Sequence, residues 1–126
     1  MSMTVKDLIS AARAAVPAIT PAAADELLRN AGALVLDVRD GTEVAASGKL
    51  KGALAISRGM LEFRADPAVP AYDPALRRDR PILLYCASGG RSALAGKTLL
   101  DMGFTDVRNL GGFKELAEGG WPVEPV

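Results

Sequence analysis

The chain has 126 residues, 49% of them hydrophobic, which is enough to bury one continuous core in a single domain and too few for two ordinary ones. Its 15 basic and 15 acidic residues leave a formal net charge of zero, so no basic face marks out nucleic acid or an anionic membrane as a partner. One cysteine and no histidine exclude an internal disulfide, leave no ligand set for a structural zinc site, and close every triad mechanism that uses an imidazole as general base.

From Thr4 to about Val16 the apolar residues Val5, Leu8, Ile9, Ala12 and Val16 recur at helical spacing, with Thr4 as cap and Pro17 closing the segment, which predicts an amphipathic helix. Lys6, Asp7 and Arg13 interrupt its apolar residues and no long hydrophobic run follows, so this is read as a helix rather than a signal peptide. The expectation is a soluble cytoplasmic protein. A second helix is predicted from Thr20 as cap and Pro21 at the first helical position, through Ala24, Leu27 and Leu28 toward Asn30 and Gly32, packing on a sheet.

The short apolar run Ala33-Leu34-Val35-Leu36, followed by Asp37, predicts a buried strand that ends where polar side chains emerge. A turn is expected at Asp40-Gly41. Ala53 to Ile56 makes a weaker strand, Ile82 to Tyr85 a strong one, and Asp106 to Leu110 another. Between and after them, Ser92 to Met102 and Gly112 to Glu118 carry helical patterns ended by Gly103 and by Gly119-Gly120, whereas Asp66 to Arg80, with Pro67, Pro70 and Pro74, reads as an irregular surface connection. Strands alternating with helices predict an α/β fold, a small mostly parallel sheet with helices on both faces, because parallel strands need crossover connections.

The strand Ile82 to Tyr85 runs directly into Cys86-Ala87-Ser88-Gly89-Gly90-Arg91 and then into a helix opening near Ser92. Sites in open α/β sheets lie at this end of the strands. Gly89 and Gly90 permit backbone conformations closed to other residues, so the loop is expected to curl until its amide N–H groups converge into an anion cradle. A free cysteine titrates near ~8.5; converging amides, the positive end of the following helix and Arg91 would all favour the thiolate of Cys86 without any histidine. The bland alternative, a buried small hydrophobe, does not account for two glycines and an arginine at a strand-to-helix turn.

These residues resemble the rhodanese family, whose catalytic cysteine heads a six-residue loop of the form Cys-x-x-Gly-x-Arg. Leu36-Asp37-Val38-Arg39 is similar to the family's strand ending in Asp-Val-Arg, Gly52-Ala53 to its Gly-Ala pair, and Val107 to Phe113 with Gly120-Trp121-Pro122-Val123 to its closing pattern. The resemblance covers residues 18 to 125, which makes 1–17 an amino-terminal helical extension and 18–126 a rhodanese-like domain. The chain departs from the family in having Gly48-Lys49 where Gly-His is common, in one extra residue between Glu43 and Gly48, and in Leu116 in place of the last helix's tryptophan.

What the resemblance implies is a sulfurtransferase. Cys86 takes sulfane sulfur from a small-molecule donor such as thiosulfate and, as a persulfide, passes it to a thiol or cyanide acceptor, with no cofactor or metal and as a monomer or homodimer. Ala87, Ser88, Gly89, Gly90 and Arg91 would form the anion-binding loop. Ser92, Asp37, Arg39 and Arg58 stand as supporting residues: Asp37 bonding backbone near the loop, Arg39 pairing with a carboxylate, and Arg58 either leaning toward the mouth of the site or solvated. Two alternatives stand beside it. One is a carrier or interaction module of the same fold that holds sulfur without independent turnover. The other is a phosphatase or arsenate reductase, whose Cys-x5-Arg loop is one residue longer than Cys86 to Arg91.

Overall fold

The computed structural model describes residues 2–126. Along the chain lie α1 (Val5–Ala15), α2 (Pro21–Asn30), β1 (Leu34–Asp37), α3 (Gly41–Ser47), β2 (Lys49–Leu50), β3 (Leu54–Ala55), a 3-10 turn (Arg58–Met60) and α4 (Leu61–Ala65). After a stretch of turns come β4 (Ile82–Cys86), α5 (Gly90–Asp101), β5 (Val107–Gly112), α6 (Phe113–Glu118) and β6 (Val123–Glu124). Four strands form one parallel sheet in the order β3-β1-β4-β5. This is the α/β architecture that the alternation of strand and helix predicts. Among the described residues no helix is long and apolar enough to cross a membrane.

The central strand β4 owes its place to an apolar run with no solvent face. Ile82, Leu84 and Cys86 point into a cluster with Leu36, Val38, Leu61 and Leu99, while Leu83 and Tyr85 point into a second cluster with Val35, Ala24, Leu50 and Leu116. The helices therefore cover both faces, α4 and α5 on one and α2 and α6 on the other. Burying each of the large side chains of β4 is worth ~1.5–3 kcal/mol, which fixes the register and with it the position of Cys86.

Thr4 and Thr20 cap α1 and α2 as predicted, each accepting a backbone N–H three residues on. Of the apolar stripe on α1 only Ala12 and Val16 are buried, against α5, and Val5 and Leu8 stay exposed. The two helices approach closely because Gly96 has no side chain: a Cβ there would lie 2.9 Å from Val16 Cγ1. Past α1 the chain runs beside β5, with Asn109 N–H donating to Pro17 O at 2.8 Å and Ile19 N–H donating to Asn109 O at 3.0 Å. This tether holds the carboxyl end of α1 next to the end of β4.

Several elements differ from the sequence expectation. Asp40-Gly41 is not a turn between strands but the start of α3, whose Glu43 carboxylate accepts the Asp40 N–H at 3.0 Å, a capping arrangement that converts turn-like residues into a helix start. The helix after Cys86 begins at Gly90 rather than Ser92, so the last two loop residues already belong to its first turn. The pairing of β2 with β6, Leu50 opposite Val123, closes the chain onto itself through two residues on each side, too few to leave a periodic trace in the sequence.

Candidate active site

Cys86 is the last residue of β4, and its side chain is 1% exposed. Ala87, Ser88 and Gly89 turn the chain back over it. Gly89 does so with φ +97°, a left-handed conformation that favours glycine, and it sits at the N-cap of α5. The expectation that both glycines supply such freedom is corrected here: Gly90 is an ordinary helical residue, and a Cβ on it would meet only the Ile9 Cδ1 methyl at 3.3 Å.

The turn aims donors at the sulfur. Gly89 N–H donates to Cys86 Sγ at 3.0 Å, and the Ser92 hydroxyl lies 3.5 Å from it on the first turn of α5. Burial pushes the Cys86 thiol up, but the Ser92 hydroxyl and the backbone N–H groups of Ser92, Ser88 and Gly89 more than offset it and hold the thiol below its ordinary value. The sulfur is thus an anion site made of one side-chain hydroxyl and the backbone N–H groups of the turn, with no charged group bonded to it.

Asn109, which the sequence reading did not single out, completes this arrangement. The Ser92 hydroxyl donates to Asn109 Oδ1 at 2.8 Å, Gly111 N–H donates to the same oxygen at 3.0 Å, and Asn109 Nδ2 donates to Gly89 O at 3.1 Å. An irregularity in pairing makes this geometry possible. Leu84 lies opposite Asn109 but Tyr85 lies opposite Gly111, so β5 carries an extra residue and bulges beside the loop. The only signal in the sequence was a polar amide next to Arg108, between Val107 and Leu110, in an otherwise sheet-like run.

Arg91 is not turned to an incoming anion. Its guanidinium grips Glu43 of α3 through two bonds, Nη1 to Oε2 at 2.7 Å and Nη2 to Oε1 at 2.9 Å. The bond from Arg91, helped by the Asp40 N–H, draws the Glu43 carboxyl down to about 2, and the pairing pushes Arg91 up in return. Such a fork-to-fork pair positions the loop against α3 and leaves no net charge at that edge.

Asp37 and Arg39 form a buried pair beneath the site. Arg39 Nη2 donates to Asp37 Oδ2 at 2.8 Å and to Gly48 O at 2.7 Å, Nη1 donates to Ser47 Oγ at 2.8 Å, and the guanidinium lies 4.1 Å from the Phe113 ring centroid. Asp37 takes the Arg39 N–H at 3.0 Å, so the backbone it bonds is its own turn and not the loop around Cys86. Arg58 stands away from the sulfur: it donates to Glu62 and to Thr98, each at 2.9 Å, lower on α5. Beside the loop, between α1 and β5, opens a cleft of about 330 Å³ with Arg13, Ser88, Gly89 and Asn109 on its walls.

Comparison with known proteins places this geometry. The Rhodanese-like domain family matches residues 20–118. Among individual relatives, Thiosulfate sulfurtransferase GlpE of Pseudomonas putida is 32% identical over 84% of this chain and 88% of its own. A Rhodopseudomonas palustris protein of unknown function, described as a possible tyrosine phosphatase, superposes with TM-score 0.88 at 35% identity over 98% of this chain and 96% of its own. The polysulfide-sulfur transferase of Wolinella succinogenes does so with TM-score 0.75 at 34% identity over 96% and 87%. With about four fifths of its length matched by that family and the cysteine loop in the expected place on the sheet, this chain belongs to the rhodanese-like domain family.

Proposed function

We propose that the protein is a sulfurtransferase in which Cys86 carries the sulfur as a persulfide. The observation that supports this most is the sulfur of Cys86 itself, recessed at a strand end, taking Gly89 N–H at 3.0 Å beside the Ser92 hydroxyl, and held toward the thiolate with no base beside it. A thiolate attacks the sulfane sulfur of thiosulfate, the S–S bond breaks, sulfite leaves with the bonding pair, and the anionic persulfide remains on Cys86. An acceptor thiolate or cyanide then attacks the outer sulfur, and Cys86 departs as the thiolate. No proton moves in either step, which suits a site without histidine.

The amides suit both states, because they present fixed dipoles to a charge that moves outward by one sulfur. Ser92 has one hydroxyl hydrogen to share between Asn109 Oδ1 and the sulfur. When that hydrogen turns to the sulfur anion, Gly111 N–H keeps Asn109 Oδ1 satisfied. The switch therefore leaves no buried acceptor bare.

The test is turnover of thiosulfate and cyanide to thiocyanate, repeated with a thiol acceptor, for the wild type, Cys86→Ser and Cys86→Ala. Turnover lost in both variants supports the reading; loading of Cys86 without turnover would make the protein a carrier instead. The name given to the Rhodopseudomonas palustris relative motivates one control, hydrolysis of an aryl phosphate. Cys86-dependent hydrolysis would overturn the sulfur-transfer reading, which expects none because the loop is one residue shorter than Cys-x5-Arg.

A further inference from the structure

We propose that Arg13, in the last turn of α1, receives the anionic end of the sulfur donor, so that the amino-terminal helix contributes the substrate-binding cation of a site whose sulfur lies on β4. The inference rests on the sulfur-transfer reading and names the group that would select an oxyanion donor such as thiosulfate.

Four observations meet at this residue. Nine of the ten arginines donate to a carboxylate, a hydroxyl or a carbonyl, as Arg91 does to Glu43; Arg13 makes no ion pair and no hydrogen bond among the described residues. Its guanidinium nonetheless lies against the loop, with Nη2 3.7 Å from where a Cβ of Gly89 would stand. Gly89 is the residue whose N–H bonds the sulfur. Finally, the cleft of about 330 Å³ that Arg13 shares with Ser88, Gly89 and Gly111 has no acidic side chain on its walls.

These facts assign the two arginines different tasks. Arg91 braces the loop and is neutralised by Glu43, so it offers little to an incoming anion. Arg13 is exposed, long and without a partner among the described residues, and a donor whose sulfane sulfur reaches Cys86 leaves its sulfonate above the loop, within reach of a flexible cation. A cation at the carboxyl end of a helix also favours the helix itself, but that role is indifferent to the charge of a molecule approaching Cys86.

The experiment compares alkylation of Cys86 by anionic iodoacetate and by neutral iodoacetamide in wild type, Arg13→Ala and Arg13→Lys, alongside thiosulfate kinetics. In Arg13→Ala the iodoacetate rate should fall about fivefold relative to the iodoacetamide rate, Arg13→Lys should restore most of it, and 1 M salt should erase the difference between wild type and Arg13→Ala. KM for thiosulfate should rise by a similar factor while kcat holds. An unchanged ratio of the two alkylation rates in Arg13→Ala, with a wild type that does take sulfur from thiosulfate, overturns this proposal alone. A wild type that takes no sulfur from thiosulfate removes the sulfur-transfer reading and the donor with it, even where the alkylation ratio responds to Arg13.

Discussion

Two adjacent glycines should respond differently to the same small change. Gly89 has φ +97° and its N–H lies on the Cys86 sulfur, whereas Gly90 is helical with only a flexible methyl of Ile9 near its missing Cβ. Alanine at 89 has two courses. If the backbone keeps its conformation, the left-handed strain lowers stability by ~1–2 kcal/mol, a fall in Tm of roughly 3–10 °C for a domain of this size. If the backbone relaxes, the N–H leaves the sulfur, a bond to a charged group worth ~1.5–3 kcal/mol is lost, and the thiolate fraction below the thiol's titration falls by about tenfold or more. Alanine at 90 should leave both quantities close to wild type, since a helix interior favours alanine over glycine by up to ~1 kcal/mol. The assay is thermal denaturation together with the rate of iodoacetamide alkylation against pH. If Gly89→Ala matches the wild type in both, or if Gly90→Ala loses as much, the curled-loop account of the site is wrong.

Three further outcomes are expected. Ser92→Ala should slow alkylation of Cys86 at neutral pH by about fivefold through loss of ~1 kcal/mol of anion stabilisation, with secondary structure by circular dichroism unchanged. Arg39→Leu should destabilise by about 3–5 kcal/mol in urea denaturation because it strands the buried Asp37 carboxylate, and Asp37→Leu in the same chain should recover part of that loss. Glu43, drawn down to about 2 by Arg91, is favoured as a carboxylate in the fold; its contribution is fully present above about 4.5 and fades as pH falls toward 2. The pair is about one third exposed, so Glu43→Gln should cost about 1 kcal/mol at pH 7 and progressively less in that acid window, read by denaturation at a series of pH values.

The strands β1, β4 and β5 and the loop after Cys86 were legible in the sequence because each is local. An apolar run such as Ile82 to Tyr85 has no polar face to offer solvent, and Gly89 between a strand and a helix announces a sharp turn. What escaped depends on pairing across the chain. Arg91 reads as a binding residue until Glu43, 48 positions earlier, is seen to hold it, and the signal that would have found it was the Asp40-to-Glu43 capping spacing, read instead as a turn. Asn109 escaped because its aim depends on the bulge in β5, which only the pairing with β4 reveals. Arg58, expected either near the mouth of the site or solvated, is instead held by Glu62 and by Thr98, and the latter, 40 residues away, cannot be read from its own stretch of sequence.

Everything proposed for this site depends on sulfur being held by Cys86. Intact mass of the full chain after incubation with thiosulfate and removal of the donor reads this directly. A gain of about 32 Da is expected on the wild type, reversed by cyanide with release of thiocyanate and absent from Cys86→Ala. A folded wild type that reacts with iodoacetamide yet gains no mass from thiosulfate or from any organic persulfide would contradict it.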